Sequence, residues 1–273
     1  AHEAVRRMGA VMLAASLATV AGCWQPPKMQ RAELERGYLL ILEGIDFAAW
    51  QMEGTWRGLR DAGIDWATDV RDWGYRNWLG SGYMNLADLK NNRAWANSLA
   101  GEIVLYQREY PGRPVSILGY SGGGGLAVLT AEALPTEARL DRIVLLGAAL
   151  SPEYDLSRAL ERCARGIINF YSSADAVILG AGTKLYGTID RRNVASAGHT
   201  GFRVPPEASV ARPELYANLV QVAWTPAMAR LGHDGGHFGW IARRWAAEIV
   251  SPYLKPPPTT RTAGRAQARR TRS

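Results

Sequence analysis

Six short apolar runs, each set off by stretches of helical spacing, constrain this chain more than any other feature. They are 38–42 (YLLIL), 66–70 (WATDV), 115–119 (VSILG), 143–147 (IVLLG), 167–171 (IINFY) and 219–224 (LVQVAW). Most are nearly continuous apolar runs without polar alternation, the pattern of strands buried on both faces. Between them, 50–62, 86–110, 124–133, 156–164 and 239–253 have the spacing and composition of helices. Strand–helix alternation predicts an α/β fold with a mostly parallel central sheet, right-handed crossovers and helices on both faces. No internal repeat is present. Sheets of this kind carry their sites outside the carboxyl ends of the strands, so the loops after each strand are the places to search.

The chain of 273 residues, 47% hydrophobic, is long enough to bury a sizeable core, and one domain over 38–255 is expected. The formal charge of +7 invites a nucleic-acid partner. Its distribution argues otherwise: Arg261, Arg265, Arg269, Arg270 and Arg272 lie in the last thirteen residues, with Arg6 and Arg7 at the other end. Without those seven arginines and Glu3 the body holds 25 basic residues against 24 acidic ones, which disfavours nucleic-acid binding. Residues 256–273, Pro-rich and then basic, are expected to be a disordered tail.

Residues 1–22 have the layout of a signal peptide: paired arginines, a short apolar run, then small residues before Cys23. Val20-Ala21-Gly22-Cys23 looks like a bacterial lipobox, which predicts an exported protein held at the membrane through lipid on Cys23. Residues 23–37 would be its polar tether. Cys163, the other cysteine, lies in a helical pattern and is expected to be a buried, inert thiol.

One motif stands at the end of a strand. Gly119-Tyr120-Ser121-Gly122-Gly123 follows the 115–119 run and precedes the 124–133 helix. G-x-S-x-G between strand and helix is a nucleophile elbow, a turn so tight that the serine backbone is strained and the residues two before and two after it must be small. The helix that begins there aims its N–H groups at the position where negative charge would develop. A phosphate cradle is disfavoured because Leu126-Ala127 stand where a P-loop needs lysine and Ser/Thr. A serine is a weak nucleophile alone and needs a base and an orienting acid. Asp175 follows the second strand after the serine, with Glu153 and Asp155 as alternatives after the intervening one. His233 and His237 both lie in LGHDGGHFGW, between the last strand and the final helix. His237 is favoured as base because it directly precedes that helix and follows two glycines, with His233 the alternative.

Together the strand order, the GYSGG elbow, Asp175 and the GHDGGHFGW loop resemble the α/β-hydrolase superfamily over about 38–253. The resemblance implies no required cofactor, no metal, and acyl transfer through a serine ester, with Ser121 as nucleophile, His237 as base and Asp175 as its partner. It also implies an oxyanion hole made by the N–H of Gly122 and one from the loop after the first strand, at Ile45 or Gly44. Many relatives have His-Gly at that point, where this chain has Glu43-Gly44. About twenty residues separate the fourth and fifth strands, too few for a large cap domain. The segment 176–218, with Leu185, Tyr186 and Phe202, is the expected pocket wall or small lid, and Trp50, Trp56, Trp73 and Trp78 are candidate pocket aromatics. The expectation is an esterase- or lipase-like enzyme acting on a small ester or lipid. A catalytically silent binding or scaffolding lipoprotein, and a peptidase or acyltransferase of the same fold, are the rivals, and the ordered Ser, Asp and His favour an enzyme.

Overall fold

The computed structural model describes residues 24–45, 49–75, 81–204 and 206–255. The expected signal, the lipidation site Cys23, Trp78 and the basic tail lie outside these residues. Six strands form one all-parallel sheet: β1 (Tyr38–Leu42), β2 (Ala67–Arg71), β3 (Val115–Tyr120), β4 (Arg142–Leu146), β5 (Ile167–Tyr171) and β6 (Leu219–Ala223). Their order is β2-β1-β3-β4-β5-β6, so the winding reverses between β1 and β3 and leaves a crevice at their carboxyl ends.

The continuous apolar runs exist because alternate residues of one strand feed two cores. Leu40, Leu42, Ile117, Ile143 and Leu145 face one core, and Leu39, Ile41, Leu118, Val144 and Leu146 face the other. The helices divide accordingly. A short α1 (Arg31–Leu34), α2 (Glu53–Asp61), α3 (Ser81–Ala87), α4 (Leu89–Glu109), α5 (Gly122–Ala133) and α6 (Ser157–Glu161) punctuate the chain. α4, α5 and α6 cover the first face with Leu99, Ile103, Leu126 and Leu160. α2 and the final helical run, through Leu59, Trp245, Val250 and Leu254, cover the second. β6 is an exposed edge. The result is an α/β fold, one all-parallel sheet with helices on both faces, and among the described residues no large cap domain is inserted between its strands.

Three helices depart from the sequence expectation. The 86–110 stretch is two helices, because the Asp88 carboxylate accepts a 3.0 Å bond from Asn91 N–H and starts α4 afresh. The 239–253 stretch is broken into a 3-10 turn (His237–Ile241), a single turn (Arg243–Trp245), a π turn (Ala246–Val250) and a last turn (Ser251–Leu254). Pro252 has no N–H to give the regular bond, and the chain widens to π spacing just before it. α5 starts at Gly122, two residues earlier than expected. The segment ahead of β1 is laid against the domain: Glu33 pairs with Arg60, and Tyr106 donates to the Leu34 carbonyl at 2.7 Å. Among the described residues no helix is long and apolar enough to cross a membrane.

The close approach of α5 to β1 leaves no room at Gly123, where a methyl group would overlap the Leu42 and Glu43 carbonyls. Gly101, in the middle of α4, has open space around it. Urea unfolding should therefore separate two Gly→Ala changes: G123A loses about 2 kcal/mol or more, and G101A gains about 0.5–1 kcal/mol. Equal midpoints for G123A and wild type would contradict the tight contact.

Candidate active site

Ser121 stands at the carboxyl end of β3, beside the crevice. Its backbone is at φ 54, ψ −120, and Ser121 and Arg191 are the two non-glycine residues with positive φ among those described. Such a conformation costs of order 1–3 kcal/mol and persists because the surroundings over-determine it. Its N–H donates to Leu146 O at 3.0 Å, and its carbonyl accepts from Gly124 N–H at 3.0 Å and Ala149 N–H at 2.9 Å. A methyl on Gly119 would lie 2.6 Å from Gly124 Cα, so the small residue two before the serine is a steric requirement of the turn. Gly125, without an assigned role in the sequence beyond packing, faces the Ile189 side chain.

Asp175 and His237 reach this serine from the ends of β5 and β6. Asp175 is the residue before the π turn Ala176–Gly182, where its Oδ1 accepts from Leu179 N–H at 3.4 Å. Its Oδ2 lies 2.6 Å from His237 Nδ1, and His237 Nε2 lies 3.0 Å from Ser121 Oγ. A carboxylate only accepts, so Nδ1 carries the proton and the Nε2 lone pair faces the hydroxyl. All three groups are buried, with Asp175 at 2% exposure and His237 at 9%. Burial strengthens each polar contact in this chain.

Further neighbours hold the pair in place. Tyr120 OH donates to the His237 carbonyl at 3.2 Å, from the residue just before the serine. Trp240 Nε1 is 3.4 Å from Asp175 Oδ2. Ser172 OH donates to Gly235 O at 2.7 Å and accepts from Ala174 N–H, tying the acid loop to the base loop. Tyr120 and Trp240 both lie inside quoted motifs, Tyr120 at a position where any residue is allowed and Trp240 at the end of the GHDGGHFGW loop, and neither motif signals these contacts.

The alternatives are placed elsewhere. Glu153 forms an exposed ion pair with Arg203, and Asp155 accepts from Ser157 N–H and Tyr216 OH at the start of α6. His233 is fully buried, with its ring perpendicular to Trp240 at 4.1 Å and Trp245 at 5.0 Å, and its Nδ1 accepting from Gly235 N–H at 3.0 Å. Burial lowers its pKa from 6.5 to about 4. Cys163 is a buried free thiol, pushed up to about 12 by burial. Among the described residues no cluster of His, Cys, Asp and Glu could hold a metal ion.

The loop after β1 lies over the elbow. A methyl built on Gly44 would sit 3.5 Å from Ser121 Cβ, and one on Gly122 would meet Ile45 Cγ2 at 2.5 Å and Trp73 Cζ2 at 3.2 Å. Gly44, Ile45 and Gly122 are thus brought together beside the serine. The candidate pocket aromatics separate. Trp73 is buried here, Trp56 is half-buried in the second core, and Trp50 is 47% exposed. Within 176–218, Phe202 is buried in the first core, whereas Leu185 and Tyr186 are exposed.

Neutral His233 has a pH consequence. The unfolded imidazole takes a proton near 6.5 and the folded one only near 4. Its contribution to stability is therefore complete above 6.5 and lost as pH falls towards 4. Urea midpoints should show roughly 2–3 kcal/mol of acid-side loss between pH 7 and 4.5 from this group, with a flatter slope in His233→Gln. An unchanged slope in that variant would contradict the assignment.

No protein-family model matches the chain, and no curated protein matches its sequence. Solved structures do resemble it. The crystal structure of esterase PE8 matches at 16% identity and TM-score 0.43, over 80% of this chain and 91% of that one. The NocB thioesterase domain, in covalent complex with a fluorophosphonate nocardicin G analog, matches at 15% identity and TM-score 0.39, over 84% and 99%. A lipase-esterase related protein from Clostridium acetobutylicum matches at 12% identity and TM-score 0.38, over 80% and 93%.

Proposed function

We propose that the chain is a serine hydrolase that cleaves a carboxylic ester through an acyl-enzyme intermediate. The observation that supports this best is the buried chain of contacts from Asp175 through His237 to Ser121, at 2.6 Å and 3.0 Å, ending on a serine of strained backbone. A merely structural serine has no use for an unprotonated imidazole nitrogen at hydrogen-bond distance, and strain of this kind concentrates at functional sites.

In the proposed mechanism Ser121 Oγ attacks the ester carbonyl carbon while His237 Nε2 takes the hydroxyl proton. The resulting imidazolium is stabilised by the Asp175 carboxylate, which also keeps the proton of neutral His237 on Nδ1. The tetrahedral oxyanion would accept from Gly122 N–H, at the start of α5, and from Gly44 or Ile45 N–H. The helix N-terminus favours negative charge there. His237 then gives its proton to the leaving alkoxide and the alcohol departs. Water, deprotonated by His237, attacks the acyl-serine by the same route and releases the acid.

An apolar acyl group suits the surroundings. Phe238, next to His237, and Val177, two residues after Asp175, are exposed at 47% and 58%. Met84 on α3 and Leu185 on the 183–186 turn are exposed on two elements that touch each other. Exposed large apolar side chains on the segments that carry Asp175 and His237 favour a substrate with apolar substituents.

Rapid mixing with a p-nitrophenyl ester should release a burst of p-nitrophenol stoichiometric with enzyme. Ser121→Ala and His237→Gln should each lower kcat by at least ~10⁴-fold without unfolding the chain. Turnover that survives Ser121→Ala would overturn the proposal.

A further inference from the structure

The loop proposed to supply the second oxyanion donor is short and irregular, yet an oxyanion hole works only if its N–H groups are aimed before charge develops. Two side chains from outside the loop grip it. Trp73 Nε1 donates to the Glu43 carbonyl at 2.9 Å, and Asn85 Nδ2 donates to the Ile45 carbonyl at 3.2 Å. These carbonyls flank Gly44. A peptide's C=O and N–H point in opposite directions within one rigid plane, so holding a carbonyl aims the N–H of the next residue. The bond to Glu43 O aims Gly44 N–H directly. With Ile45 O held as well, the peptide between Gly44 and Ile45, which carries Ile45 N–H, spans two fixed planes.

The two donors are themselves immobile. Trp73 is 1% exposed, and a methyl built on Gly122, the proposed first oxyanion donor, would lie 3.2 Å from its Cζ2. Asn85 is fully buried and uses its remaining groups: Oδ1 accepts from Tyr75 N–H at 2.8 Å, and its own carbonyl accepts from Asn92 Nδ2 at 2.6 Å. Gly74 makes room for it. That residue has φ 84, and a methyl there would lie 2.6 Å from Asn85 Cγ. The connection that follows β2 therefore carries a rigid clamp on the loop that follows β1.

We infer that Trp73 and Asn85 are positioning residues that hold the 43–45 loop in its oxyanion-binding geometry. The inference rests on the hydrolase proposal. Trp73→Phe removes one N–H and keeps an aromatic ring, and Asn85→Asp keeps the shape while replacing the donor to Ile45 O with an acceptor. Each should lower kcat for a p-nitrophenyl ester by about 10- to 100-fold with KM within twofold. Each should also weaken a trifluoromethyl ketone, whose adduct with the serine carries the oxyanion, by the same factor as kcat/KM. Circular dichroism and melting establish that the variants are folded. If the charge of Asn85→Asp prevents folding, Trp73→Phe decides. A folded variant with kcat within twofold of wild type, a change confined to KM, or unaltered ketone affinity overturns the inference and leaves the hydrolase proposal standing. Wild-type protein that neither hydrolyses esters nor forms the ketone adduct overturns both.

Discussion

Everything at the site depends on how closely the start of α5 packs against the ends of β1 and β3. That contact is backbone against backbone, with Gly119 meeting Gly124 and Gly123 meeting the last carbonyls of β1. It forces Ser121 into a left-handed conformation, lifts its Oγ out of the turn, and sets Gly122 under the 43–45 loop. The cost of the serine's conformation is offset by a sheet whose inner strands are buried on both faces and by an α5 whose first ten residues are all buried. A looser core would let the turn relax, and the hydroxyl would leave the imidazole.

Around that rigid turn the remaining groups arrive from distant parts of the chain. Asp175 comes after β5, His237 after β6, and Gly44 and Ile45 after β1, and each loop is tied to a neighbour. Tyr120 binds the His237 backbone, Ser172 joins acid loop to base loop, and Trp73 and Asn85 grip the loop after β1. Most of these ties are buried and made by side chains that bond to backbone. Such an arrangement fixes the direction of backbone groups as well as the position of side chains, which is what stabilising a developing charge requires.

The sequence disclosed the sheet and the elbow because both follow from local chemistry. Strands buried on both faces must be apolar throughout, and a turn of this tightness must have glycine at two set positions. It also pointed to Asp175 and His237, which lie within hydrogen-bond reach of each other and of Ser121, since chain order confines them to particular loops. It left His233 and His237 four residues apart in one loop, and only packing separates them, with His233 enclosed by Trp240 and Trp245. The broken final helix was hidden because apolar spacing persists across Pro252. Trp73 and Asn85 belong to no pattern, Trp240 stands in the GHDGGHFGW loop without a signal for its contact, and all three bond to segments tens of residues away.

The proposed hydrolase depends on one nucleophile, and covalent labelling tests it most directly. Folded wild-type protein treated with a fluorophosphonate probe, digested and mapped by mass spectrometry should carry a single adduct, on the peptide containing Ser121. Unmodified Ser121 in folded protein, or an adduct on another side chain that persists in Ser121→Ala, would contradict it.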